Sequence, residues 1–324
     1  MNRYLLLQVL LFILLFTTSS SFAQKVGEIK DDIKSVEAAK DQKDGWTKTG
    51  GIGIDLSLLN LINPRLGAGN NRFGFGGLLS YTANYKGENI IWNNRANMQL
   101  AVLKDGDASF TKSLDVLQFT SQLGRKISSK WYLGGMLDFQ TQFLPTYGLN
   151  YLSELPSGVT TKLPLSGAFL SPAVLKLALG AIYKPDVHWT IFFSPLAVKT
   201  IIVTDQTLAN SGAFFPADAV NNKTIDFQLG AEVRLDYVNK FANDRIGYQG
   251  GLDLYSNYLR NPQNIAIEFY NSLDFFIIKN FSINLRSDWF YDDNIQVFRG
   301  GNVNAKGKDV FIRNALLLKY SHAF

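Results

Sequence analysis

The chain has 324 residues, a formal net charge of +5 and no Cys. The lack of Cys excludes disulfides, thiolate catalysis and Cys-ligated metal centres. A charge this small for the length argues against nucleic acid as a partner, since proteins that bind it cluster basic residues on one surface. Mean hydropathy is −0.00 and 13% of the residues are aromatic. A helical membrane protein would be far more hydrophobic, whereas a β-barrel averages lipid-facing and lumen-facing residues.

Residues 1–23 have the features of a cleaved secretory signal peptide. Arg3 supplies the basic start, Leu5 to Phe16 form an apolar run, and Ser21-Phe22-Ala23 provides small residues at a cleavage site. The run of about a dozen apolar residues is shorter than the roughly 20 that a membrane-spanning helix, the alternative, would need. We therefore expect export, and no Cys follows the site to carry a lipid anchor.

Residues 24–47 form a mixed-charge segment with few apolar anchors, running from Lys25 to Asp44. Its composition differs from that of everything after it. We expect a charged periplasmic lead or short helix. The alternative is a segment that enters the barrel and plugs it.

From residue 48 onwards, apolar and polar side chains alternate in segments of strand length. Between Ile225 and Tyr237, for example, the apolar residues occupy odd positions and the charged ones even positions. A helix of this sequence would scatter charge around its circumference, so the pattern predicts strands. About twelve are predicted, near residues 50–60, 72–86, 89–104, 112–126, 130–143, 171–184, 188–203, 223–239, 245–258, 263–278, 280–292 and 308–324.

Residues 48–324 are therefore predicted to form an all-β fold, a transmembrane antiparallel up-and-down β-barrel. Its connections alternate between short turns such as 185–186 and long loops such as 204–222, as periplasmic turns and outside loops do in outer-membrane barrels. Aromatic residues such as Trp131 and Trp189 fall near the expected membrane boundaries. A globular β-sandwich is the alternative, and it does not explain apolar outward rows repeated around the whole chain.

The last strand carries an apolar face and an aromatic C-terminus that are typical of an insertion signal in outer-membrane barrels. Its outward residues are Leu316, Leu318, Tyr320 and Phe324. This signal predicts the outer membrane as location, with its lipid and the barrel assembly machinery as partners. The inward residues Arg313, Leu317, Lys319 and Ser321 are predicted to close against Gly51, Gly53, Asp55 and Ser57 of the first strand.

The opposite face of each strand is predicted to line the lumen. Six basic residues, Lys176 and Lys319 among them, and nine acidic residues lie on it, a mixture that more often forms structural pairs than a selectivity device. The candidate lumen-lining residues are Arg95, Asp138, Gln140, Gln142, Glu232, Arg234, Asp253, Glu268, Arg286, Asp288 and Arg313. Twelve tilted strands enclose a cylinder roughly 24 Å across, which inward side chains narrow to about 10 Å or less.

The connection from Leu144 to Leu170 is unusually apolar for an outside loop. Apolar side chains free in water are unfavourable, so we expect it to fold over or into the barrel mouth, with Tyr147 and Tyr151 forming a constriction. Packing against neighbouring loops is the equal alternative.

No residue pattern indicates catalysis. A serine–histidine arrangement could use His188 with Ser194 or Thr190, but all three fall within one strand and lack the context of a shaped nucleophile. The pair Asp292 and Asp293 offers too few oxygen ligands for Ca²⁺. We therefore predict no enzyme activity, no metal site and no cofactor.

Several segments resemble an uncharacterised outer-membrane barrel family of Bacteroidetes-type bacteria, known as domain of unknown function 3078. The most specific are the strand Ile90-Ile91-Trp92-Asn93-Asn94 and the element Thr141-Gln142-Phe143; Phe193-Ser194-Pro195-Leu196 and Trp289-Phe290-Tyr291-Asp292-Asp293 agree with it as well. The resemblance covers most of the mature chain. It implies location and architecture but no activity.

The sequence thus favours a narrow channel or an uptake barrel for a small or amphiphilic solute. The alternative is a closed structural or envelope-assembly barrel that binds partners through its loops or N-terminal segment, and a barrel hydrolase comes third. The solute and the oligomeric state stay open.

Overall fold

A computed structural model describes residues 44–62, 72–103, 111–147, 165–210, 214–215, 224–278, 280–293, 297–298 and 306–323. Twelve antiparallel strands form a closed barrel, which confirms the predicted all-β architecture. They are β1 (Gly45–Ile62), β2 (Arg72–Lys86), β3 (Ile90–Leu103), β4 (Thr111–Lys126), β5 (Trp131–Thr141), β6 (Ala173–Tyr183), β7 (Trp189–Ile202), β8 (Ile225–Phe241), β9 (Ile246–Asn257), β10 (Ile265–Ile278), β11 (Phe281–Tyr291) and β12 (Phe311–Ala323). The predicted signal peptide and most of the predicted charged lead lie outside the described residues, and β1 begins three residues before the expected boundary at residue 48.

Each strand pairs with the next along the chain, and β1 closes the barrel against β12. In this last pairing Lys319 lies opposite Asp55, Leu317 opposite Ser57 and Ser321 opposite Gly53. The predicted closure is therefore confirmed for three of the four inward residues of β12, while Arg313 lies opposite Leu61 and Gly51 lies opposite Ala323. Since a shift of one residue would exchange the two faces of a strand, this register keeps the apolar face of β12 on the outside.

Alternation along each strand separates an apolar outside from a polar inside. Ile54, Leu133 and Leu179 point outwards and are 60 to 65% exposed. On β8 the even-numbered residues from Asp226 to Arg234 are buried inside the barrel while Ile225 and Phe227 are exposed. Apolar exposure of this extent is unusual for a soluble protein and marks a surface that meets another apolar phase.

A β-bulge at Pro195 interrupts this alternation in β7. Gly230 of β8 pairs with Ala197, but Glu232 pairs with Ser194, so β7 holds an extra residue. Proline has no N–H to donate to the ladder, and bulges tolerate it. The inward positions therefore change from even to odd numbers: Phe192 and Ser194 are buried before the bulge, and Ala197 after it.

The two ends of the barrel differ. Five short connections, such as 242–245, define the short-turn end, where Ala242, Asn243 and Asp244 take left-handed backbone conformations. Aromatic pairs gather at that end, among them Trp131–Tyr183 and Trp189–Tyr237, each with ring centroids 4.6 Å apart. The long-loop end carries the remaining connections and a five-residue helix, α1 (Gln206–Asn210). Within the described ranges, no helix has the length and apolar character needed to cross a membrane.

Candidate functional site

The lumen contains a buried ammonium group held by carboxylates from two other strands. Lys176 Nζ on β6 lies 2.8 Å from Glu232 Oε1 on β8 and 2.8 Å from Asp253 Oδ2 on β9. All three residues are at least nine-tenths buried. Because β6 is not adjacent to either strand in the barrel, the lysine side chain reaches across part of the lumen. We call this group the lysine bridge.

An arginine makes a second crossing. Arg234 on β8 donates from Nη1 to Asp138 Oδ2 on β5 at 3.1 Å, and its Nε lies 3.2 Å from Asp236 Oδ2. Thr120 donates to the other oxygen of Asp138 at 2.7 Å, and Tyr270 donates to Asp236 at 2.6 Å. Strands β5 and β8 are separated by two strands, so this arginine bridge also spans part of the lumen.

Apolar side chains fill the space beside the two bridges. Met136, Ala178, Ile182, Phe192, Ala197 and Tyr255 form one buried cluster inside the barrel wall. Ile182 and Phe192 lie opposite each other on β6 and β7, and neither is more than 1% exposed. Side chains therefore pack where the sequence predicted an opening of about 10 Å or less.

A separate ionic network lies on the lumen side of β10 to β12. Asp288 accepts hydrogen bonds from Arg286 Nε at 2.9 Å and from Arg313 Nε at 2.8 Å. Lys319 Nζ lies 3.4 Å from Asp274 Oδ1, whose carboxylate also accepts from Asn284 at 3.0 Å. Inward charge is thus arranged in pairs, as the mixed-charge count indicated.

The structure brings most of the predicted lumen residues together. Asp138 meets Arg234, Glu232 and Asp253 meet through Lys176, and Arg286, Asp288 and Arg313 form one network. Gln140 is buried on the lumen face, and Arg95 and Glu268 are half-buried on theirs. Gln142 lies just beyond β5 and donates to the Ser171 carbonyl at 2.8 Å, so it is part of the rim.

Sequence reasoning counted Lys176 among the inward cations but did not single it out. It stands alone among apolar neighbours on β6, and the residues that bind it are 56 and 77 positions away. In the sequence, the indication of this role is that Lys176 is an isolated charge within an apolar strand. Asp236, Tyr270 and Asn284 gave no comparable signal.

At the long-loop end, the apolar connection after β5 packs against a neighbouring loop. Thr146–Tyr147 and Leu165–Gly167 pair as a small two-stranded sheet. Leu165 then joins a cluster of Val203, Leu208, Ala209, Phe214 and Phe215 around α1. For this part of the connection, packing against neighbouring loops is the arrangement found. Tyr151 lies outside the described residues, so the constriction stays a prediction.

The candidate catalytic groups are bonded to the backbone. Ser194 Oγ lies 2.8 Å from the carbonyl oxygens of Leu179 and Leu196, and His188 Nδ1 lies 3.0 Å from the Val238 carbonyl oxygen. Over the described ranges, no three His, Cys, Asp or Glu side chains are grouped to hold a metal ion.

Asp293, beyond the end of β11, is bonded by two side chains. It accepts from Tyr291 and lies 3.1 Å from Lys308 Nζ. These hydrogen bonds, the one from Tyr291 first, lower the pKa of Asp293 below its ordinary value. The Asp293 carboxylate therefore links the end of β11 to the segment that contains Lys308.

Three residues of the predicted insertion signal lie in the described part of β12, and the signal itself stays a prediction. Leu316 and Leu318 are exposed, and the Tyr320 ring contacts Phe281 with centroids 5.0 Å apart. Phe324 lies outside the described residues.

Solved structures with a similar fold include several barrels of the outer membrane. The translocator domain of the autotransporter NalP from Neisseria meningitidis is 8% identical with a TM-score of 0.40, covering 87% of this chain and 90% of that one. An outer membrane channel from Pseudomonas putida F1 is 12% identical with a TM-score of 0.39, and the match covers 90% of this chain and 100% of that one. The NanC porin is 9% identical with a TM-score of 0.39, and the match covers 82% of this chain and 98% of that one. At these identities the likeness concerns the barrel alone.

No curated protein sequence matches the chain. A family model does, over residues 62–147, from the last residue of β1 to the short strand after β5. This segment contains both of the most specific elements of the resemblance, the Trp92 strand and Thr141-Gln142-Phe143. Over residues 62–147 the chain is thus similar to the family described as “Protein of unknown function (DUF3078)”.

Proposed function

We propose that the chain is a non-enzymatic outer-membrane β-barrel that admits a small solute and is closed at rest by ion pairs across its lumen. The two faces of the wall support a location in the membrane, because exposed apolar residues lie outside and paired charges lie inside. Aromatic rings at the short-turn end support it as well. That division is typical of membrane barrels and unfavourable in water. Export through residues 1–23 and insertion by the barrel assembly machinery are parts of the same proposal.

The observation that supports a closed state is that the lysine bridge and the arginine bridge both cross the lumen. Lys176 and Arg234 each bind carboxylates on strands that are not their neighbours, at 2.8 and 3.1 Å. A side chain that crosses the lumen both narrows it and ties its walls. In a bilayer, separating such a pair leaves buried charges without partners, which is strongly unfavourable. The barrel therefore rests closed, and a solute or a field that rearranges these pairs would open it.

Conductance in a planar bilayer tests the proposal. The double variant Asp138→Ala/Arg234→Ala removes Arg234 together with the carboxylate that it reaches across the lumen, and so takes the largest crossing side chain out of the lumen. Asp236, the second carboxylate of Arg234, keeps its hydrogen bond from Tyr270. We expect small or rare currents from the wild type and a severalfold larger unit conductance from the double variant.

The matched control is Asp44→Ala/Lys86→Ala, which removes an exposed ion pair of 3.4 Å at the short-turn end. It should leave the conductance unchanged. Equal conductance of the wild type and both double variants would overturn the assignment of the arginine bridge as the closure.

A closed structural barrel is the second candidate. The packed cluster around Ile182 and Phe192 favours it, because these side chains occupy lumen volume that the ion pairs do not explain. Partners would then bind the loops or residues 24–47. Silence of both the wild type and Asp138→Ala/Arg234→Ala in the bilayer would favour this candidate over the gated one.

A further inference from the structure

The lumen wall formed by β2, β3 and β4 differs chemically from the rest of the interior. Its central inward positions carry hydroxyl and carboxamide side chains. Among the described inward positions from Ser80 to Asn84, from Asn93 to Gln99 and from Gln118 to Gln122, Arg95 is the single charged residue. The neutral residues are Ser80, Thr82, Asn84, Asn93, Asn97, Gln99, Gln118, Thr120 and Gln122. The opposite wall holds the lysine bridge and the paired charges of β10 to β12. The interior is thus divided into a neutral side and an ionic side.

On the neutral side, four side chains lie at one level on consecutive strands. Ser80 of β2 pairs with Asn97 of β3, Asn97 with Gln118 of β4, and Gln118 with Gln140 of β5. Neighbouring strands are about 4.8 Å apart, so the carboxamides repeat at that spacing around the wall. Gln99 follows Asn97 on the same face. We call Asn97, Gln99, Gln118 and Gln140 the carboxamide row.

Three members of this row offer polar atoms that no described residue bonds. Gln99, Gln118 and Gln140 are each at most 7% exposed. Their Oε1 atoms have no hydrogen-bond partner among the described residues. A buried acceptor without a partner is destabilising, and most such groups in proteins are bonded. Three on one wall therefore indicate a surface that receives hydrogen bonds from a bound molecule.

The chemistry of the row selects the kind of molecule. Carboxamides accept and donate hydrogen bonds but carry no charge, so a hydroxyl group can bond to either end of each one. An ion entering the row would lose hydration, and the side chains of the row carry no opposite charge. The nearest charged side chains, Arg95 and Asp138, lie one inward level away, and Asp138 is already bound to Arg234. A neutral solute with several hydroxyl groups meets no such penalty.

We infer that the carboxamide row is a binding track for a neutral, hydroxyl-rich solute of the carbohydrate class. This assignment rests on the proposed function and deepens it by naming the solute class. Gln118 and Gln140 lie side by side on β4 and β5, and each hydroxyl bonded there offsets one unpartnered oxygen. Arg95 lies two residues from Asn97 on β3, at the next inward level towards the short-turn end, where it pairs with Thr82 and Thr120.

Binding to the full barrel in detergent micelles tests the inference by calorimetry. The probes are glucose, maltose and raffinose, with gluconate as the charged probe of matched size. The variant Gln118→Leu/Gln140→Leu keeps the side-chain volumes and removes both carboxamides. We expect the wild type to bind at least one neutral probe more tightly than gluconate, and the variant to bind it about tenfold more weakly through the loss of two hydrogen bonds.

Gln249→Leu is the matched control, since Gln249 is also a buried lumen glutamine, 8% exposed, but lies on β9. It should bind as the wild type does. Circular dichroism and heat-modifiable migration on gels report whether each variant folds. If the double variant does not fold, Gln99→Leu replaces it, with the smaller loss that one hydrogen bond predicts.

Three results would overturn the inference: no binding of any neutral probe to the wild type, equal affinity for gluconate, or equal losses in Gln118→Leu/Gln140→Leu and Gln249→Leu. The bilayer experiment separates this failure from that of the proposed function. Currents from Asp138→Ala/Arg234→Ala without saccharide binding would support closure by the arginine bridge and contradict saccharide binding at the carboxamide row. Saccharide binding to a barrel that never conducts would support binding at the row and contradict closure by the arginine bridge.

Discussion

At the scale of single residues, Lys176 shows how a barrel places a full charge away from water. Its ammonium has two carboxylates at 2.8 Å, and Glu232 is 0% exposed. Buried ion pairs of this kind add little net stability compared with apolar packing, yet removing one partner is costly because the other charges stay buried. The lysine bridge therefore acts more as a constraint on the arrangement of β6, β8 and β9 than as a source of stability.

Replacing this lysine should expose that asymmetry. Lys176→Met leaves Glu232 and Asp253 facing each other, and we expect the free energy of unfolding to fall by about 3–5 kcal/mol. Urea titration of the barrel in lipid vesicles, followed by tryptophan fluorescence, measures the change. Lys130→Met, at an exposed turn, should change it little. A loss for Lys176→Met no larger than for Lys130→Met would show that the lumen hydrates these carboxylates.

At the scale of elements, the wall of the barrel was more predictable than its contacts. Alternation predicted all twelve strands and the face of β12 that closes against β1, because a strand with lipid on one side repeats every two residues. The bulge at Pro195 could not be predicted, since a single extra residue in β7 alters the alternation only after that point. The partners of Lys176 could not be predicted either, because contacts between strands that are not neighbours depend on how the closed sheet curves.

The outward face of an individual strand gives a direct test of the membrane. Leu179 on β6 and Val187 in the following turn are similarly exposed, at 61% and 56%. If both positions faced water, arginine at either one would change the free energy of unfolding by a similar amount. In a bilayer, Leu179→Arg should cost about 2–4 kcal/mol near the midplane, while Val187→Arg at the interface should cost about 0–1 kcal/mol. Unfolding titrations in vesicles measure both, and equal small costs would argue against a lipid-facing wall.

At the scale of the whole molecule, the interior and the exterior follow different rules. The outward faces of the strands are mainly apolar, which the alternation along the sequence predicted. The interior is divided into an ionic side and the carboxamide row; the inward residue types were predictable from the alternation, but their division between two sides was not. That division became visible only when the register aligned Asn97, Gln118 and Gln140 on one level.

We predict that insertion of the complete barrel depends on its last strand. Truncation of Phe324 should reduce the amount of protein in the outer membrane, because β12 would lose the aromatic end of its outward face. Quantifying the folded, heat-modifiable form in outer-membrane fractions measures the effect, with truncation of the charged residues 25–43 as a control that keeps β1 and β12 intact. Normal membrane levels after loss of Phe324 would show that insertion is signalled elsewhere.

Because β1 pairs with β12, the barrel does not require its chain to begin at β1. Because the first and last strands are hydrogen-bonded neighbours from Gly51 opposite Ala323 to Ile62 opposite Ile312, the cylinder has no structural seam. A circular permutant that joins these strands through a short linker and opens at the tight turn around Asn243 would keep every ladder of the wall. Any of the short turns could then serve as the start of the same barrel.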